Sequence, residues 1–280
     1  MTPDHLDRGP APGVEKQPIS LGEPIAVGRT AEIYAWREGQ VLKLFFDWAR
    51  GGATHEDRVA RAVHDAGLPV PALIEAVEVG GRLGLVYERI EGRSMGVVTR
   101  ERIWRLGRSA RTLADLHVQM HAERGIPGLP DQQDRLQRKI ERAKGLPAHL
   151  RQAALDALGQ MPRGDRLCHG DFHPENVLLA AGRPVVIDWV DATVGRPWAD
   201  VARSAVLLGG ASAAKGTDPP LLRLAEGWFR RIYVDRYFRL CPGGKREYRA
   251  WLPIVAAARM SEGIGEIEGW LCSQVQRGLG

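Results

Sequence analysis

The hydrophobic period of this chain changes at residues 88–92, and few architectures accommodate the change. Before it, residues 24–27, 31–36, 41–46, 73–79 and 83–87 read as strands, and Gly39-Gln40 and Gly80-Gly81 as hairpin turns between them. One helix interrupts them, predicted over 55–66, with Thr54 as N-cap, Val59 and Val63 spaced i, i+4, and Gly67 then Pro69 ending it. After it, apolar residues recur with a helical period: Ile103, Leu106, Ala110, Leu113 and Leu116 on a helix over 100–121, then helices over 132–144, 148–160, 200–208, 221–239, 246–259 and 262–276. Only two short strands, 177–179 and 184–187, break the helical part. The expectation is an α+β protein of two lobes. The N-terminal lobe, 19–92, is an antiparallel sheet with one helix; the C-terminal lobe, 93–280, is mainly helical. Residues 1–18, rich in Pro, Gly and charge, read as a disordered tail.

Size and composition agree with two lobes and narrow the function. At 280 residues, with 44% hydrophobic and 26% charged, the chain can bury a core and is neither disordered nor fibrous. No apolar run approaches the ~20 residues that span a bilayer, and the start lacks the basic-then-apolar pattern of a secretory signal. Cys168, Cys241 and Cys272 have no CxxC spacing, so neither a disulfide framework nor a zinc site is expected, and a cytoplasmic location is. The net charge of +5 is dispersed and not interleaved with aromatics, which argues against nucleic acid. No membrane or protein partner is implied. Arg outnumbers Lys 33 to 6, and Asn176 is the only asparagine, so the lysines and the asparagine that are kept carry more information. The Gly-rich stretch 209–216 reads as a flexible loop; it lacks the GxxxxGK[ST] spacing of a P-loop.

Asn176 lies in Cys168-His169-Gly170-Asp171-Phe172-His173-Pro174-Glu175-Asn176, followed by Val185-Val186-Ile187-Asp188-Trp189. Asp171, Asn176 and Asp188, arranged around a short strand pair, would place three oxygen-bearing side chains at one sheet edge. Such ligands suit Mg²⁺, which takes a few protein oxygens and completes its shell with phosphate. The plainer reading is three turn residues in a hairpin.

The segment resembles the catalytic loop of protein kinases and, with Gly170 after the histidine and His173 two after the aspartate, is more similar to the aminoglycoside phosphotransferase family of small-molecule kinases. The resemblance extends over about residues 19–205 and implies a bilobal, protein-kinase-like fold. It implies that Asp171 takes or orients the acceptor hydroxyl's proton, that His173 lies near the transferred phosphoryl group, and that Asn176 and Asp188 hold Mg²⁺. Lys43, in the apolar strand 41–46, becomes the lysine on the α- and β-phosphates of ATP. Its expected counter-ion is Glu56, with Asp57 as the alternative; a carboxylate that stabilises the helix N-terminus is the plainer role for Glu56. Gly28 and Thr30 would cover the phosphates, although the full GxGxxG loop is absent, and the backbone at Glu88 and Ile90 would meet adenine. Asp200, in Trp198-Ala199-Asp200-Val201-Ala202, would buttress the catalytic loop from below, and His117 reads as structural.

Only eleven residues separate Asp188 from Asp200, too few for a long activation segment, so the expected acceptor is a hydroxyl on a small molecule: an aminoglycoside, amino alcohol, sugar or related metabolite. The segment 260–274 is locally acidic, and Glu262 with Glu266 could face an amine, or lie on a solvated helix face. Arginines on the helices over 132–144 and 221–239 keep a sugar or an anionic metabolite open. The alternative to an enzyme is a catalytically silent nucleotide-binding or regulatory module.

Overall fold

A computed structural model describes residues 21–181, 183–214 and 220–280; the tail expected over 1–18 lies outside them. The N-terminal lobe is a five-stranded sheet of β1 (Ala26–Val27), β2 (Ala31–Ala35), β3 (Gln40–Phe45), β4 (Leu73–Val79) and β5 (Arg82–Glu88), ordered β1-β2-β3-β5-β4 and antiparallel throughout. Both turns fall where glycine predicts them. The lobe's helix, α1 (Arg50–Asp65), packs Ala53, Val59, Ala60 and Val63 inward. It starts one turn before the expected Thr54 cap: a 3-10 turn at Asp47–Ala49 leads directly into it, and the Thr54 hydroxyl donates back to the Arg50 carbonyl from inside the helix.

A strand of two residues, β6 (Arg93–Ser94), opens the second lobe and pairs with β8 (Val177–Ala180), which pairs with β9 (Arg183–Val186). The long helix expected over 100–121 is two helices, α2 (Met95–Glu101) and α3 (Leu106–Ala122). Ser94 caps α2 by accepting from Val97 N–H, and Arg102, with φ −128° and ψ 70°, breaks the helical path before a short 3-10 turn. α4 (Gln132–Glu141) and α5 (Ala148–Gly159) follow, capped in the first case by the Asp131 carboxylate. Two three-residue strands that no period could announce, β7 (Arg166–Cys168) and β10 (Thr193–Gly195), pair with each other and flank residues 169–192.

α6 (Pro197–Ala214), α7 (Pro220–Leu240), α8 (Lys245–Arg259) and α9 (Gly265–Leu279) complete the chain. The flexible loop expected at 209–216 is helical through Ala214, and the remainder falls outside the described residues. Its glycines serve packing: a Cβ on Gly209 would meet the Trp270 ring at 2.9 Å and one on Gly210 the Arg259 guanidinium at 2.8 Å, so the pair lets α8 and α9 side chains close onto α6. One apolar core joins α3, α7 and residues 172–177 through Leu113, Phe172, Val177 and Tyr233; a second joins α5, α6, α8 and α9 through Trp251, Ile254 and Leu271. Burying side chains of this size contributes roughly 1.5–3 kcal/mol each before entropy is subtracted. Among the described residues, no helix is long and apolar enough to cross a membrane.

Candidate active site

The site forms where the sheet lobe faces the segment Cys168–Asn176. Lys43 is the fourth residue of β3, and its Nζ lies 2.8 and 2.7 Å from the two Glu56 oxygens on α1 and 2.8 Å from Asp188 Oδ1. Tyr87 Oη donates to Glu56 Oε1 at 3.0 Å. Asp57, the other candidate counter-ion, instead accepts from Arg61 one turn on. Burial works against the Lys43 charge, but the Glu56 and Asp188 carboxylates outweigh it and push its pKa up to about 12, so it is a fixed cation.

Asp188 follows β9 with a φ of 67°, rare outside glycine, and keeps 42% of its side chain exposed. The strand backbone guides that excursion: Ile187 N–H donates to the Asn176 carbonyl at 3.0 Å. Asn176 is buried, and its Nδ2 donates to the Asp171 carbonyl at 2.9 Å. That hydrogen bond leaves the Asn176 side-chain oxygen as an acceptor. With Asp188 it gives a set of hard oxygen donors, one anionic and one neutral, which fits Mg²⁺ in character.

Asp171 sits between Arg203 and His173. Arg203 Nη2 donates to its Oδ1 at 3.2 Å, while Arg203 Nε donates to the Gly170 carbonyl at 3.1 Å; His173 Nε2 lies 3.5 Å from its Oδ2. Burial alone would raise the Asp171 carboxyl, but the His173 and Arg203 contacts prevail and hold it well below the usual carboxylate range. Gly170 has φ +77°, and a Cβ there would collide with the Asp191 carbonyl, so the turn that presents Asp171 requires glycine. His173 accepts at Nδ1 from Glu175 N–H, capping the turn Pro174–Asn176. Glu175 in turn accepts from Ser94 Oγ and from Arg100 Nη1, each at 2.5 Å, and so ties the segment to α2.

Beneath the segment lies Asp200, wholly buried in the first turn of α6. Its Oδ2 accepts from His169 N–H at 2.7 Å, from His117 Nε2 at 3.0 Å and from His121 Nε2 at 3.3 Å, and its Oδ1 accepts from Gly170 N–H at 2.9 Å. Burial would raise the Asp200 carboxyl, and the histidine hydrogen bonds outweigh it and hold it well below its ordinary range. Tyr233 and Tyr237 hydroxyls meet the two remaining ring nitrogens at 2.6 and 2.7 Å. This is the buttress expected of Asp200, and the structural role expected of His117 holds. His121 belongs to the same cluster because i, i+4 spacing places it beside His117.

Of the remaining candidates, Gly28 and Thr30 lie in the loop between β1 and β2, where Gly28 N–H donates to the Ala31 carbonyl and the Thr30 carbonyl accepts from Phe46 N–H. Glu88 is the last residue of β5, with its N–H given to the Ala72 carbonyl at 2.9 Å; among the described residues no backbone hydrogen bond engages the Ile90 N–H. Glu262 does not stand free for an amine. Arg203 Nη2 reaches it at 2.5 Å, Arg259 Nε at 3.4 Å and, from the β1–β2 loop, Arg29 Nη1 at 3.6 Å. Sequence reasoning passed over Arg203. The one available signal was its position three residues after Asp200 on α6, which puts both on the face turned to the segment.

The family described as "APH: Phosphotransferase enzyme family" matches residues 22–251. No curated protein matches the chain. Among solved structures, the fold is similar to an aminoglycoside-3'-phosphotransferase of type VIII, at 19% identity and a TM-score of 0.58, covering 87% of this chain and 92% of that one. A choline/ethanolamine kinase family protein from Mesorhizobium loti is similar at 14% identity and a TM-score of 0.59, with 91% and 86% covered. Amicoumacin kinase, bound to a nucleotide analogue, is similar at 15% identity and a TM-score of 0.63, with 92% and 87% covered. At these identities the likeness establishes the bilobal fold.

Proposed function

The chain belongs to the phosphotransferase enzyme family, and from that premise we propose that it is an ATP- and Mg²⁺-dependent small-molecule kinase that phosphorylates an alcohol. The observation that carries the proposal is the convergence on one cleft of Lys43, Asp188, Asn176 and Asp171 from β3, β9 and the catalytic segment.

In this reading Lys43, held by Glu56, binds the α- and β-phosphates as a point charge. The Glu88 carbonyl and the Ile90 N–H meet the adenine edge, and Gly28 and Thr30 cover the phosphates. Asn176 and Asp188 hold Mg²⁺, which neutralises charge on the phosphate oxygens when bound. Asp171 orients the acceptor hydroxyl. As the acceptor oxygen bonds to the γ-phosphorus, the bond from that phosphorus to the bridging oxygen breaks, its electron pair leaves with ADP, and the hydroxyl proton passes to Asp171. A carboxylate held well below its usual pKa is a weak base, which fits a loose transition state in which the proton moves late and positioning matters most. His173 stands against Asp171 on the phosphoryl side.

The test is a screen of purified protein with Mg·ATP against sugars, amino alcohols, aminoglycosides and hydroxy acids, following ADP release and the phosphorylated product. Turnover that stops on chelation of Mg²⁺ and falls at least a hundredfold in both Asp188→Asn and Lys43→Ala is expected, with both variants folded. Wild-type turnover in Asp188→Asn would remove the metal assignment. Binding of Mg·ATP without transfer to any acceptor would favour a silent nucleotide-binding module.

A further inference from the structure

A cavity of about 280 Å³ opens beside His173, between α2, α3, α6, α7 and the end of α8. It is small for a ligand site, which commonly spans ~300–1,000 Å³. Its wall is apolar: Ile103, Leu106, Leu207, Ala225 and Phe229. An aminoglycoside, rich in ammonium and hydroxyl groups, would strand its polar atoms there.

Two carboxylates, Glu175 and Glu226, and two guanidiniums, Arg100 and Arg259, line the cavity, and an excess of cations lies beyond it around Asp171. Its two carboxylates are engaged, Glu175 by Ser94 and Arg100, and Glu226 by a partner of its own. Arg259 differs. It is 92% buried by the 8% exposure of the residue, it lines the cavity, and it is seated against the bare backbone of Gly210. Its Nη1 donates to the Val206 carbonyl at 2.9 Å, but its Nε is buried without a hydrogen-bond partner and reaches Glu262 only at 3.4 Å. Glu262 is also shared by Arg203 and Arg29, and Arg203 is shared with Asp171. On the other flank of the segment Arg135 and Lys139 share Asp191. Five cations thus meet three carboxylates, one of them the residue that orients the acceptor. Burial and then the neighbouring Arg203 lower the Arg259 pKa to about 10, against the opposing pull of Glu262 and Asp171.

We propose that the acceptor is a compact, largely apolar alcohol that carries an anionic group, carboxylate or phosphate, its carbon skeleton in the cavity beside His173 and its anion against Arg259. The hydroxyl then reaches Asp171 past His173, 3.5 Å away. This rests on the phosphotransferase reading of Asp171, and it names the acceptor class of that site.

The experiment compares matched probes of four to eight carbons on the full chain: ω-hydroxy acids, ω-hydroxyalkyl phosphates, diols and amino alcohols, together with a polycationic aminoglycoside. Phosphorylation is followed with Mg·ATP, and binding is followed separately by calorimetry with Mg²⁺ and a non-hydrolysable ATP analogue. The expected result is that one anionic series exceeds the diols by about tenfold or more in kcat/KM and in affinity, as a charge-assisted hydrogen bond provides. The amino alcohols fall below the diols. Which anionic series leads tells carboxylate from phosphate. Arg259→Met should bring the anion-to-diol ratio close to one, and Arg259→Lys should restore part of it. Ala225→Trp, which fills the cavity from its rim, should remove binding of every apolar probe while nucleotide affinity persists. Preferred turnover of the amino alcohols or the aminoglycoside overturns the acceptor class and leaves the kinase reading standing. Charge-selective binding that Ala225→Trp abolishes, with no probe phosphorylated, sustains the site and overturns the kinase reading instead. Equal affinity for anion, diol and amine overturns the inference outright.

Discussion

Asp188 and Asp200 frame the same segment and use a carboxylate in opposite ways. Among the described residues Asp188 has one side-chain partner, Lys43 Nζ; it keeps 42% of its side chain exposed and pays a positive φ for its position. Asp200 is sealed in, and four donors, from His117, His121, His169 and Gly170, occupy both of its oxygens. An oxygen with spare lone pairs and access to water can exchange its partners for a ligand; one whose partners are all protein groups can only hold shape. The first kind of site should fail in activity before stability, and the second in stability before activity.

The largest expected effect tests the cleft. Asp171→Asn should lower the phosphoryl-transfer rate by roughly 10²–10⁴ with Mg·ATP affinity and urea midpoint little changed, since the buried Arg203 keeps Glu262 as its counter-ion and the near-isosteric amide can still accept from it. A variant as active as wild type would end the distinction for Asp171. Next comes the core: Asp200→Asn puts an amide NH₂ against four donors and should cost about 3–5 kcal/mol of unfolding free energy, read from urea denaturation. If it unfolds like wild type while turnover collapses, Asp200 belongs with the chemistry.

A smaller effect sharpens the same contrast. Burial, followed by the neighbouring His121, lowers the His117 pKa to about 3, so the folded ring stays neutral while an unfolded histidine takes up a proton below about 6.5. The associated stability is present above pH 6.5 and lost as pH falls towards 3, about 2 kcal/mol of it between pH 6.5 and 5. Asp200, also depressed, adds loss in the same direction below about pH 4. The measurement is the denaturation midpoint against pH for wild type and His117→Gln, with a flatter slope expected in the variant. The smallest effect is at the cleft's edge. The Arg29–Glu262 pair spans 3.6 Å with Arg29 68% exposed, so Arg29→Ala should change the KM for ATP by no more than about threefold, and less at high salt. A larger change would mean that the β1–β2 loop is fastened across the cleft more tightly than an exposed pair allows.

Much of this was legible in the chain. The sheet lobe announced itself because alternation and glycine turns are local properties, and the segment around Asp171 because it holds the one asparagine. The split between α2 and α3 was not legible, since apolar residues keep a helical period across Arg102 while packing and the Ser94 cap set the break. β6, β7 and β10, two or three residues each, are too short to show any period. Gly209 and Gly210 read as a loop because glycine permits one; the side chains of Trp270 and Arg259, distant in sequence, make them helix contacts instead. Arg203 shows the same limit, for its partners Asp171 and Glu262 come together only in three dimensions.

The passage between lobes is short. Arg89 N–H is fixed to the Gly39 carbonyl, Arg93 and Ser94 already pair with β8, and Arg100 and Ser94 grip Glu175. Only residues 90–92 lie between these anchorages, and Val186 N–H, donated to the Pro69 carbonyl at 2.7 Å, ties the lobes again nearby, so a rotation of one lobe on the other would have its pivot close to residues 168–176. A door hung this way moves most at its free edge. A small turn at the pivot displaces the tip of the β1–β2 loop far more than it displaces Asp171, and so admission of nucleotide and alignment of the acceptor can be tuned by separate mutations.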